Sequence, residues 1–161
     1  FWAEGGAGEI SIAPGPSGDI VHQKIDGNEI YLASGAFLAS TSGITLDTKW
    51  EGFAKGFFSG AGFFLIKCSG AGDIWFNSYG AVFEVDVKGD YVVDTGHIMG
   101  FSAGLDYRIS KMGGYKSLFF SGEGFVSRFS GEGKVWVQTK KPNAFVWWAS
   151  QYRRVERRNS N

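Results

Sequence analysis

The chain carries one cysteine, Cys68, in 161 residues, so no disulfide can form within it. A lone thiol suits a reducing compartment. Proline is nearly as scarce, at 3 residues, and histidine is confined to His22 and His97. No apolar run approaches the ~20 residues of a membrane-spanning helix, and no signal or transit pattern is visible within these residues. An excess of one charge is also missing: 16 Lys and Arg balance 16 Asp and Glu. That balance sets the chain apart from globally basic nucleic-acid binders. It is not kept locally, however. Residues 134–161 hold seven basic residues against Glu156 alone, a charge of +6, and residues 1–133 carry the compensating −6. The body is acidic and the tail is basic.

Aromatic residues are abundant, with 15 Phe, 6 Trp and 6 Tyr, and glycine reaches 25. Disordered low-complexity chains are poor in aromatics, so that class is excluded. Many turns between aromatic strands fit the composition better. The length suits one compact domain or one tightly joined set of repeats.

Glycine spacing discloses such a repeat. Phe58-Ser59-Gly60-Ala61-Gly62-Phe63 returns as Phe120-Ser121-Gly122-Glu123-Gly124-Phe125. Ser69-Gly70-Ala71-Gly72-Asp73-Ile74-Trp75 returns as Ser130-Gly131-Glu132-Gly133-Lys134-Val135-Trp136. Gly18, Gly27, Gly35 and Gly43 correspond to Gly80, Gly89, Gly96 and Gly104, at offsets of 62, 62, 61 and 61. A further partial copy opens the chain at Gly6-Ala7-Gly8-Glu9-Ile10. Between the glycines the pattern alternates. Val21, Gln23 and Ile25 oppose His22, Lys24 and Asp26; Phe83, Val85 and Val87 oppose Glu84, Asp86 and Lys88. Period two marks half-buried strands.

The expected fold is therefore all-β, in units of about 62 residues. The approximate copies are 1–59, 60–121 and 122–141, with a tail at 142–161, all within a single domain. The glycine pairs read as hairpin turns, because tight turns take the positive φ that glycine accepts. Ser69–Gly72 would then join a strand at Phe63–Lys67 to one at Asp73–Asn77. A strand at Glu9–Ala13 would lack its partner, so a preceding N-terminal segment is expected. After Pro142 the spacing changes: Phe145, Trp148, Tyr152 and Val155 recur at three, four and three, which predicts a short helix.

The chain resembles the altered-inheritance-of-mitochondria protein 24 family. The resemblance rests on Gly35-Ala36-Phe37-Leu38-Ala39-Ser40, on the glycine elements above, and on Gly131-Glu132-Gly133-Lys134-Val135-Trp136-Val137-Gln138-Thr139. It covers nearly the whole chain, and the order and spacing of the elements are more specific than any one of them. It implies a fold like that of the tryptophan RNA-binding attenuation protein, a short double-stranded β-helix. In the family, three such barrel-sandwich units exchange strands about a pseudo-threefold axis. It carries no catalytic residues to transfer. In mitochondrial members it implies a link to inner-membrane organisation.

No residue constellation amounts to a catalytic site. A cupin-like metal centre needs several imidazoles and a carboxylate converging, whereas His22 and His97 fall at different places in the repeat. Cys68 has no histidine placed to activate it. The Gly-x-Gly pairs lead into strands rather than into a helix N-terminus, so they are not phosphate loops. The Phe57–Phe58 and Phe63–Ile66 segments read as core packing, any exposed member serving a subunit contact.

One surface stands out for interaction: Trp147, Trp148, Tyr152, Arg153, Arg154, Arg157 and Arg158. Basic groups beside stacking rings suit RNA, but four arginines over an acidic body suit it weakly. The function expected is that of a non-enzymatic, oligomeric scaffold or binding protein, with no cofactor and no metal. The alternative is a small-ligand or RNA-binding ring protein. Self-association, as a trimer, is the expected partnership; RNA is not expected, and no membrane contact or small-molecule ligand is read from the pattern. A tail sealing an interface would bury Trp147 or Trp148. The expected location is the cytoplasm in a prokaryote and the mitochondrion in a eukaryote.

Overall fold

The computed structural model of the chain describes residues 3–48, 64–111 and 125–153. Nine strands are present among them: β1 (Ile20–Asp26), β2 (Ile30–Ala33), β3 (Phe37–Ser40), β4 (Ile44–Asp47), β5 (Leu65–Asn77), β6 (Val82–Asp94), β7 (Ile98–Ser102), β8 (Leu105–Lys111) and β9 (Phe125–Gln138). A 3-10 turn at Thr95–His97 links β6 to β7, and one helix, α1 (Pro142–Ser150), follows the last strand. Mostly β with a short C-terminal helix, this is the class the composition and spacing predict.

The strands form a single open antiparallel sheet in the order β1-β5-β2-β7-β9-β6, with β3 and β4 also on β5 and β8 also on β9. Two long strands organise it. Along one edge of β5 run β1 and then β2, from Ile20 opposite Asn77 to Ala33 opposite Leu65. Along the other edge run β3 and β4, from Phe37 opposite Phe76 to Asp47 opposite Lys67. The strand β9 is flanked alike, by β6 on one side and by β7 and β8 on the other. The pairing of β2 with β7, Tyr31 opposite Phe101, joins the two sets.

Burial follows the alternation. Ile25 is buried and Val21 and Gln23 are half-buried, while His22, Lys24 and Asp26 face water. On β6 Val87 is buried and Val85 half-buried, but Phe83, near the start of this edge strand, is exposed. In β2 consecutive residues are buried, so both faces of the sheet are covered there. Ile30 and Leu32 enter one apolar cluster with Ile74, Phe76, Met99 and Trp136; Tyr31 enters another with Phe101, Phe129 and Val135. Trp136 meets Phe76 edge-on at 5.3 Å, and its Nε1 donates to Glu84 Oε2 at 2.9 Å. The ring therefore buries its apolar body while keeping its one donor paired.

The hairpin expectation is corrected. Ser69-Gly70-Ala71-Gly72 does not reverse the chain but lies inside β5, as Ser130–Gly133 lies inside β9 and Gly89 inside β6. Gly27 separates β1 from β2, which continue in the same direction along β5. Positive φ serves a bend within a strand as readily as a turn. Gly70 and Gly131 take φ of 114° and 115° where two backbones approach closely. A Cβ on Gly131 would lie 2.7 Å from the Gly104 carbonyl oxygen, and one on Gly70 would overlap that of Gly43. Residues Glu9–Ala13 form no strand and lie mostly exposed. The expected elements at 49–63 and 112–124, including the Phe57–Phe58 segment and the Gly60 and Gly122 turns, fall outside the described residues.

Candidate functional site

The sheet ends at Gln138, and two basic residues lead into α1. Lys140 places its Nζ 5.4 Å from the centroid of the Tyr79 ring, a cation–π distance. Lys141 pairs with Asp94, at the end of β6. Pro142 then occupies the first helical turn, where its missing N–H removes no bond. Capping is otherwise poor: Lys141 makes no side-chain cap, no acid stands in the first turn, and no base stands in the last.

The spacing of Phe145, Trp148 and Tyr152 does build one face, as the sequence predicts. Phe145 and Trp148 lie 6.0 Å apart by ring centroids, and Trp148 and Tyr152 5.2 Å. Phe145 also meets Tyr79 at 6.1 Å, tying the helix to the connection between β5 and β6. Beyond that contact the helix stands in solvent: Trp147 is 72% exposed and Trp148 55%, with Phe145, Val146 and Tyr152 also exposed. Folding of the single chain therefore does not bury the tryptophans. Arg153 is exposed at the end of the element, and Arg154, Arg157 and Arg158 fall outside the described residues. No sequence pattern singles out Tyr79, between β5 and β6, as the helix's partner.

The other candidates occupy structural places. His22 on β1 stacks on Trp75 at 5.1 Å and reaches Asp73 Oδ1 with its Nε2 at 2.8 Å, an exposed pair across β1 and β5. The Nδ1 of His97 lies 2.6 Å from the Gln138 carbonyl oxygen. The two imidazoles thus have different partners. Among the described residues no group of three His, Cys, Asp or Glu is placed to hold a metal ion. Cys68 is fully buried, and burial pushes its thiol up to about 12. A protonated, inaccessible thiol is a poor nucleophile. Buried Ser127 lies 3.1 Å from Thr95 and donates to the Tyr107 hydroxyl at 3.2 Å, and burial pushes that phenol up to about 12. Thr95 and Ser127 are buried and Tyr107 is half-buried, so these hydroxyls satisfy one another at the edge of the apolar interior.

An all-β sheet protein with an exposed aromatic helix is the class these features define. Comparison with known proteins carries it further. The profile of the family described as mitochondrial biogenesis AIM24 matches residues 1–140, and the chain belongs to that family. It is similar to an uncharacterised protein of Streptococcus pyogenes serotype M6, at 28% identity over 149 residues, covering 91% of this chain and 60% of that protein. It is similar in structure to the X-ray crystal structure of protein SPYM3_0169 from Streptococcus pyogenes, with a TM-score of 0.76 and 26% identity over 88% of this chain and 63% of that one. The chain thus spans somewhat under two thirds of the length of these relatives. Among the described residues no helix is long and apolar enough to cross a membrane.

Proposed function

We propose that this chain is a non-enzymatic β-scaffold built from repeated units, which assembles by adding like units at its sheet edges. One observation carries the reading: the β2–β7 junction. The registers around β5 and β9 correspond at the offsets of the glycine repeat. Ile20 opposite Asn77 matches Val82 opposite Gln138. Phe37 opposite Phe76 matches Ile98 opposite Val137, and a bulge follows each. Ile44 opposite Gly70 matches Leu105 opposite Gly131. In this correspondence β2 answers to Val92–Asp94 at the end of β6, and β7 answers to β3.

The first unit thus joins the second by β2 on β7, whereas Val92–Asp94, paired with β9 on one side, and β3, paired with β5 on one side, have no partner strand on their outer edges among the described residues. An unpaired edge is a template for another strand. A second copy could repeat the internal junction, its β3 laid against Val92–Asp94. Head-to-tail contacts of this kind close into rings when the rotation allows, and a trimer is the stoichiometry we assign. The Streptococcus relatives and the single buried cysteine support a bacterial cytoplasmic setting.

Light scattering at micromolar concentration tests the assembly, alongside Val92→Lys. Val92 is exposed, so the substitution spares the fold while placing a charge on the edge. The expected result is a closed oligomer for the parent and a monomer for the variant. A parent chain that stays monomeric contradicts the reading.

A further inference from the structure

The helix α1 has no counterpart in the repeated sheet, and it lies past residue 140, where the family match ends. From Pro142 to Tyr152 there is no charged residue, and the stretch holds Phe145, Val146, Trp147, Trp148 and Tyr152. Four of these are consecutive, at about 100° intervals around the axis, so they point to every side of the helix. All are exposed. A helix that is apolar all round belongs in an apolar medium rather than in water. It is also only nine residues long and poorly capped, which makes it marginal without cover. Charge is placed at its ends alone. Lys140 precedes it, Arg153 follows, and Arg154, Arg157 and Arg158 come next, with Glu156 the one acid among them.

We propose that α1 and its basic flanks are a docking surface for an anionic lipid membrane. The helix lies in the interface, its rings at the boundary between headgroups and acyl chains, and the flanking cations meet lipid phosphates. Three features favour lipid over other occupants. A protein groove covers one face of a helix, whereas the headgroup boundary receives rings on several sides, as interfacial helices require. Tryptophan and tyrosine favour that boundary because their rings are apolar with a polar tip. Single-stranded nucleic acid needs cations interleaved with the stacking rings, and here rings and cations are segregated. The helix is too short to span, so the contact is peripheral.

Co-sedimentation of the whole chain with phosphatidylcholine vesicles, with and without phosphatidylglycerol, is the test. Binding is expected only with phosphatidylglycerol, weakening as salt is raised. Arg153→Ala with Arg154→Ala should lower the partition constant roughly 25-fold, about fivefold for each cation near an anionic surface. Trp147→Ala with Trp148→Ala should abolish binding while leaving the far-ultraviolet circular dichroism of the sheet unchanged, since neither ring is buried and Trp148 meets only rings of its own segment, Phe145 and Tyr152, among the described residues. Absence of vesicle binding overturns the proposal, as does binding that survives loss of both tryptophans. Two further results also overturn it. One is tight binding of single-stranded RNA with no vesicle binding. The other is a tryptophan emission that shifts to the blue with protein concentration alone, which means that a second copy covers the helix. Mass determination of the Val92→Lys protein separates this outcome from the strand-edge assembly.

Discussion

Replacing Gly131 by alanine distinguishes a strand crossing from a hairpin turn. At φ of 115° an L-residue is strained, and forcing one into positive φ costs roughly 1–2 kcal/mol. The added Cβ would also lie 2.7 Å from the Gly104 carbonyl oxygen. Because that neighbour is backbone, it cannot swing aside as a side chain can, and such overpacking costs typically about 1–3 kcal/mol. The two effects together give about 2–5 kcal/mol. Two other glycines supply the controls. Gly27 has φ of 74° but open space around it, so Gly27→Ala should show the backbone strain alone. Gly35 has neither constraint, so Gly35→Ala should be neutral or stabilise by up to ~1 kcal/mol through the unfolded chain. Urea unfolding followed by far-ultraviolet circular dichroism, at one fixed protein concentration, gives the three values. A cost near 3 kcal/mol for Gly131→Ala should lower Tm by roughly 6–12 °C. If Gly131→Ala and Gly27→Ala agree within about 0.5 kcal/mol, the close approach of β8 and β9 has no energetic weight and the reasoning fails.

Two further outcomes are expected. Glu84 is held below the ordinary carboxylate value, first by its bond from Lys134 and also by the indole of Trp136, against the opposing effect of burial; Lys67 does the same for Glu29. A depressed folded pKa means stability that is present above the unfolded value and lost as pH falls through the folded one. Stability should therefore decline as pH falls through and below the ordinary carboxylate range, and Lys134→Met should flatten that decline in urea titrations at stepped pH; an unchanged slope contradicts the pairing. Cys68, fully buried and with its thiol pushed up to about 12, should resist an aromatic disulfide reagent at pH 8 in the folded protein and react at once in denaturant; rapid labelling without denaturant contradicts its burial.

Much of this protein was legible in the amino-acid order. Alternation at Val21–Asp26 identifies the wet and dry faces of β1, because side chains on a strand point alternately to its two sides. The spacing of Phe145, Trp148 and Tyr152 predicts α1 for the equally local reason that residues three and four apart share a helix face. Order and spacing of the glycine elements suffice for the family. Pairing was another matter. A glycine at positive φ has the same local signature in a turn and in a bent strand, so the sequence could not tell that Gly70 and Gly131 lie inside β5 and β9. Their partners, Gly43 and Gly104, decide it, and those contacts exist only once strands distant in the chain lie side by side. Exposure of Trp147 and Trp148 is likewise a tertiary fact. The sequence supplies an aromatic helix, but only the position of Tyr79 between β5 and β6 shows that, among the described residues, Phe145 is the helix ring that rests against one on the body, the other rings being exposed.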